Sequence, residues 1–210
     1  MADSLEDLGT GGSALLFPLE PNWASNPTTD LAMLRRVLSQ RGTSHQLKSL
    51  TDDVPLKFKA GFTLLNKEQE CTLLEFFCAR LGRCQRFWIK HPRRHFELKS
   101  TATNGSATLV CNSNGFELQY QGYERIYILM NNGDVLTRKV TGATDDGSEL
   151  TLNINTVLDR EVTTDNHYRI GRLLWARFDN DELAERCVTN TICETSLDFV
   201  ELVQEYSEIS

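Results

Sequence analysis

The sequence predicts an α+β fold that is mostly β: an antiparallel sandwich or barrel with one flanking helix and an extended N-terminal arm. Three observations carry this expectation. NKEQECTLLEFFCARLG, at 66–82, has helical apolar spacing between a capping residue and a glycine. Everything after Gly82 reads as short strands, many of them separated by strong turn signals. Residues 1–30 hold Pro18, Pro21 and Pro27, and proline favours extended backbone at itself and at its predecessor.

The arm begins with MADSLEDLGTGGSA, which is acidic and glycine-rich. It lacks the basic start and apolar middle of a secretory leader, so the chain is expected to stay in the cytoplasm of the cell that makes it. LLFPLEPNWASNPTTD follows, with Leu16, Phe17, Leu19 and Trp23 as apolar anchors for docking. TTDLAMLRRVLSQRGT, at 28–43, predicts a short helix. Thr29 or Asp30 is the cap, Leu31, Leu34, Val37 and Leu38 form the stripe, and Arg41 and Gly42 mark the end. The expected organisation is therefore an arm plus short helix over 1–43 and a β-rich domain over 44–210, with the main helix at about 66–81.

Within that domain, VPLKFKAGF alternates, with Leu56, Phe58 and Ala60 facing inward and Lys57 and Lys59 outward. The main helix starts at Asn66, with Gln69 placed to complete a capping box. Its apolar stripe is Leu73, Leu74, Phe77, Cys78 and Leu81, and Gly82 supplies the left-handed stop. CQRFWIK is the next strand. TLVCN and FELQY flank a turn at Ser113–Gly115. YERIYILM, VLTRKVTGA and LTLNI are joined by turns at Asn132-Gly133 and Asp146-Gly147. HYRIGRLLWARF and ICETSLDFVELVQEY complete the set.

Composition narrows the function. The chain has 210 residues and a formal net charge of -7. No apolar run approaches the ~20 residues that span a bilayer. The acidic balance opposes grip on a phosphate backbone. The six cysteines are expected to be reduced in a cytoplasmic chain.

Chemistry-bearing motifs are sparse. Cys78, Cys84, His91 and His95 lie close in sequence, and His91-x3-His95 has zinc-like spacing. The cysteine half is too widely spaced, and Cys78 lies on an apolar stripe; Cys187-x5-Cys193 is no closer to a zinc knuckle. No nucleotide loop, serine elbow or zinc-protease motif is present, so neither an enzyme nor a cofactor is expected. Asp52-Asp53, Asp145-Asp146 and Asp179/Asp181 fall in turns, where acids serve turn hydrogen bonding. In CQRFWIKHP, alternation puts Phe87 and Ile89 inward and Arg86, Trp88 and Lys90 on the outer face. Arg and Trp together suit a protein interface or single-stranded nucleic acid; the alternative is that Trp88 tucks under its own arm or a loop.

The order of features resembles the distal tail proteins and neighbouring tail-tip proteins of long-tailed bacteriophages and gene transfer agents. The most specific element is LEFFCARLGRCQRFWIKHP at 74–92, followed by RLLWARFDNDEL and TSLDFVELVQE near the end. The resemblance implies a tail-tube-like β-sandwich that assembles as a ring, a hexamer or else a trimer. That ring would join the tail-tube protein to the hub or baseplate protein at the virion tail tip and continue the DNA channel. DNA would then be passing cargo only. Under this reading Phe17 and Trp23 on the arm, Arg86, Trp88 and Lys90 on the strand, and Tyr123 and Tyr127 on the long hairpin are subunit-interface candidates. Asp134, Asp145, Asp146 and Glu149, on hairpin turns, would face the channel or an adjacent ring. A neighbouring tail-completion protein, or a monomeric β-sandwich module binding sugar or peptide, is the alternative.

Overall fold

The computed structural model describes residues 16–22, 24, 27–31, 35–39, 45–49, 56–115 and 125–202. Its strands are, in chain order, β1 (Thr28–Leu31), β2 (Arg35–Ser39), β3 (His45–Ser49), β4 (Leu56–Leu64), β5 (Phe87–Lys90) and β6 (Thr108–Asn112). They continue with β7 (Arg125–Met130), β8 (Val135–Asp145), β9 (Glu149–Ile154), β10 (His167–Phe178), β11 (Glu185–Cys187) and β12 (Cys193–Glu201). One α-helix, α1 (Lys67–Ala79), is present among the described residues. The fold is thus mostly β, the named pairings are antiparallel, and the sheet does not close into a barrel.

The contacts divide the chain into two compact units, and not at the expected 43/44 boundary. One unit comprises Phe87–Trp175 and the stretch ending at Phe17; the other comprises Pro18–Arg86 and the stretch from Ala176 onward. Strand β10 contributes residues 167–175 to the first and 176–178 to the second.

In the first unit the ladder runs β10–β7–β8–β9–β6, and β5 also pairs with β10. The turns expected at Asn132-Gly133 and Asp146-Gly147 are in place, with φ +89° and +86° at the two glycines. Inward side chains of β6–β10, among them Leu109, Ile126, Ile128, Leu136, Leu152 and Ile170, form one apolar cluster. Every residue of β7 is buried. The strand expected at 116–120 lies outside the described residues.

In the second unit the ladder runs β1–β4–β12, then the end of β10, with β11 on the start of β12. β4 alternates as expected, burying Leu56, Phe58, Ala60, Phe62 and Leu64. These meet the inward row of β12: Phe58 stacks on Phe199 at 4.7 Å between ring centroids. The Asn66 side chain accepts the Gln69 N–H at 2.9 Å, and the Gln69 side chain returns to the Leu65 N–H at 2.9 Å. That is a capping box displaced by one residue. The helix ends in two left-handed residues, Leu81 at φ 53° and Gly82 at φ 59°.

Two expectations fail here. The helix expected over 28–43 is replaced by strands: β1 pairs with β4 from Thr28↔Lys59 to Leu31↔Leu56, and β2 pairs with β3. A short run of apolar spacing is a weak local signal. The free edge of β4 satisfies a whole row of backbone groups, and Thr28 and Thr29 are β-branched. The expected stop at Arg41 and Gly42 lies outside the described residues. The second failure is part of the stripe of α1: Leu73 and Phe77 pack as expected, but Leu74, Cys78 and Leu81 do not. Leu73 is fully buried, whereas Leu74 and Leu81 are 38% and 63% exposed. Phe76 and Phe77 pack on Phe178, at 6.3 and 4.9 Å between centroids. Spacings of three and four fit 73/76/77 as well as 74/77/78, and the two rows differ by about 100° of rotation. Phe178, distant in sequence, selects the first.

Candidate functional site

Strand β5 decides how the expected interface residues are disposed. Its four residues, Phe87–Lys90, are all buried. Trp88 is 1% exposed. Its ring lies 4.8 Å from that of Trp175, and the Arg125 guanidinium sits 5.3 Å over it. The arm covers it as well: Leu16 bridges to Trp88 in parallel, and the Phe17 N–H donates to the Trp88 carbonyl at 2.8 Å. Phe17 then stacks on Phe87 at 6.1 Å. Phe17, Trp88 and Lys90 are therefore interior to their own chain, and the outer face expected for this strand is not an outer face. Alternation of apolar with basic residues implied solvent on one side. Long cationic side chains instead lay their stems and planes against aromatic rings. Arg86 is exposed, in the second unit. Trp23 and Tyr123 lie outside the described residues.

Tyr127 is also interior, with no exposed surface. Its hydroxyl donates to the His91 carbonyl at 2.7 Å. Across the ladder it faces Gly171, over which its ring lies. Arg169 donates to the Pro92 carbonyl at 2.8 Å and sits 5.5 Å from the Tyr127 ring. The two imidazoles of H-x3-H meet edge to face, 4.5 Å between centroids. Burial, then His95 and the guanidiniums of Arg172, Arg93 and Arg169, push His91 down to about 2. Burial and Arg172 push His95 down to about 4. Both rings are neutral near pH 7, and His91 Nδ1 already accepts the Arg93 N–H at 3.0 Å. Cys78 and Cys84 are exposed in the second unit, and no three His, Cys, Asp or Glu side chains converge on one point among the described residues.

The four acids expected to face a channel or an adjacent ring are not one patch. Asp134 lies at one end of β8 and Asp145 at the other, about 35 Å apart at ~3.3 Å per residue. Each is engaged locally. Asp134 accepts from Arg160 at 2.6 Å and from Asn132 at 2.8 Å, which holds its carboxyl below the usual range. Asp145 caps the Gly147 N–H at 2.8 Å and accepts the Ser113 hydroxyl at 2.9 Å. Asp146 accepts the N–H groups of Ser148 and Glu149, at 2.8 and 2.7 Å, which also lowers it. Glu149 pairs with Lys99 at 2.8 Å. Turn hydrogen bonds and neighbouring cations within the same unit engage these acids.

What the sequence reading missed lies on the second unit. A recess of about 540 Å³ opens over Gly61 of β4 and its partner Ser196 of β12. Asn22 crosses the sheet there. Its N–H donates to the Gly61 carbonyl at 2.8 Å, and its side chain reaches the Thr63 hydroxyl at 2.8 Å. Glu185 and Arg186 of β11 form another wall. Burial, with Glu70 adding to it, raises the Glu185 carboxyl above its usual range. The available signal was Gly61, which leaves the outward row of β4 without a side chain between Lys59 and Thr63; a strand glycine marks a place that something approaches closely.

No protein-family model and no curated protein matches the chain.

Proposed function

We propose that the protein is a structural component of the tail tip of a long-tailed bacteriophage or gene transfer agent. Copies form a ring, a hexamer for preference, between tail-tube protein and hub or baseplate protein, around a channel through which DNA passes. It has no catalytic role in this reading. The residue pattern at 74–92 and the mostly β fold with one packed helix support it. The observation that carries it is β1. This strand ends its ladder, so its outer edge has no strand partner among the described residues. An open edge lets another copy add main-chain hydrogen bonds. The proposed contact surface therefore shifts from Trp88 to this edge and to exposed Arg86.

Electron microscopy and light scattering of the purified chain test the reading. Rings, or co-purification with tail partners, support it. A strict monomer at all concentrations, with no tail partner retained, overturns it. The recess over Gly61 favours a second reading, a monomeric β module that binds a short peptide or sugar. A saturable heat of binding from such a ligand, given by a monomer, would favour that one.

A further inference from the structure

The geometry points to Cys187 and Cys193 as a reversible disulfide site, oxidised by low-molecular-weight disulfides, that staples the β11 hairpin onto β12. The two residues are directly opposed in the antiparallel register of β11 and β12, after Glu185↔Thr195 and Arg186↔Glu194. Val188 donates to the Ile192 carbonyl at 2.9 Å, closing the turn just beyond them. The cysteine pair thus falls between ladder hydrogen bonds, where opposed Cα atoms stand ~4.5 Å apart and side chains come closest. That spacing is within the range a disulfide spans, ~4.4–6.8 Å. The two Sγ atoms are already 3.1 Å apart. The turn is held for the purpose by Thr189, whose hydroxyl accepts the N–H groups of Thr191 and Ile192 at 3.2 and 3.0 Å.

The two thiols are not equivalent. Cys187 is exposed and Cys193 is buried. The hydrogen bond with Cys187, and burial after it, hold Cys193 up to about 11. Cys187 therefore meets an oxidant first. Its thiolate attacks one sulfur of a small disulfide RSSR, forming a mixed disulfide and releasing RS⁻. Cys193 then gives its proton to solvent and attacks the Cys187 sulfur, releasing the second RS⁻. The cysteines lose two electrons, RSSR gains them, and two RSH result. The product ties down the strand that carries Glu185 and Arg186, so oxidation fixes one wall of the recess. Cys71, Cys78 and Cys84 are exposed too, but none has a second sulfur opposed to it across a ladder. The inference is independent of the ring reading.

The test equilibrates the full chain with glutathione and glutathione disulfide at graded ratios, alkylates free thiols, and maps peptides by mass. The expected result is a Cys187–Cys193 cross-link that forms at less oxidising ratios than modification of Cys71, Cys78 or Cys84 and disappears with dithiothreitol. Cys193→Ser should accumulate a glutathione mixed disulfide on Cys187 instead. Both cysteines remaining alkylated at every ratio, or wild-type Cys187 halting at the mixed disulfide, overturns the proposal.

Discussion

Replacing Gly171 with alanine tests the account of the first unit most directly. A Cβ at this position would lie 2.8 Å from Cε1 and from the hydroxyl oxygen of Tyr127, and 2.9 Å from Cζ. Ordinary carbon contacts sit at ~3.5–4.0 Å, so the ring has to retreat by roughly 0.7 Å or more. It has nowhere to go. Tyr127 is fully buried, its backbone is fixed opposite Gly171 by the β7–β10 register, and its hydroxyl is held on the His91 carbonyl at 2.7 Å. Overpacking of this kind costs about 1–3 kcal/mol. Weakening the buried hydroxyl–carbonyl bond adds about 0.5–1.5 kcal/mol. Against these, alanine in a strand is better than glycine by roughly 0.5–1 kcal/mol. The balance is a loss of about 0.5–4 kcal/mol. Urea unfolding followed by circular dichroism reads it as a lower midpoint at unchanged slope. Tyr127→Leu should remove most of the Gly171→Ala penalty, since the clash is with the ring. Full stability in Gly171→Ala, or strict additivity with Tyr127→Leu, would refute the packing described.

Four more outcomes are expected. Trp88→Ala should cost folding about 3–5 kcal/mol, because the ring is interior, and calorimetry checks it. Leu73→Ala should cost about 2–5 kcal/mol and Leu74→Ala under ~1 kcal/mol in the same assay; equal losses would mean the helix packs on its other row. Gly82→Ala should cost about 1–3 kcal/mol, combining a left-handed φ of 59° with a Cβ 2.7 Å from the Asp181 carboxylate, read by thermal melts. Stability should also fall with acid. His91 and His95 have folded values near 2 and 4, below their ordinary 6.5, so below about pH 6.5 the unfolded chain binds more protons. The loss begins there, at up to ~1.4 kcal/mol per pH unit for each ring, and His95 stops contributing near pH 4. Unfolding midpoints between pH 7 and 4.5 check it, and His95→Gln should flatten the slope.

Local signals were legible where a local cause acts alone. Asn66 and Gln69 cap α1, and Gly133 and Gly147 turn the hairpins, because each satisfies a backbone requirement within a few residues; the left-handed residue that follows α1 is Leu81, one position before the expected Gly82. Alternation in LKFKA placed β4 the right way round, since its neighbours cover one face only. Where two rows were equally apolar, as in α1, nothing in the chain could choose between them until Phe178 was in place.

The sequence by itself determined an antiparallel, mostly β chain with one capped helix, since periodicity and turn chemistry are properties of neighbouring residues. Only the tertiary structure decided that Trp88, Lys90 and Tyr127 face inward, that 28–31 joins an edge, and that Cys187 meets Cys193. Those outcomes depend on which strand lies alongside, and a strand's neighbours can be far away in the chain. Burial on both faces of β5 also erases the distinction between inner and outer rows on which alternation relies.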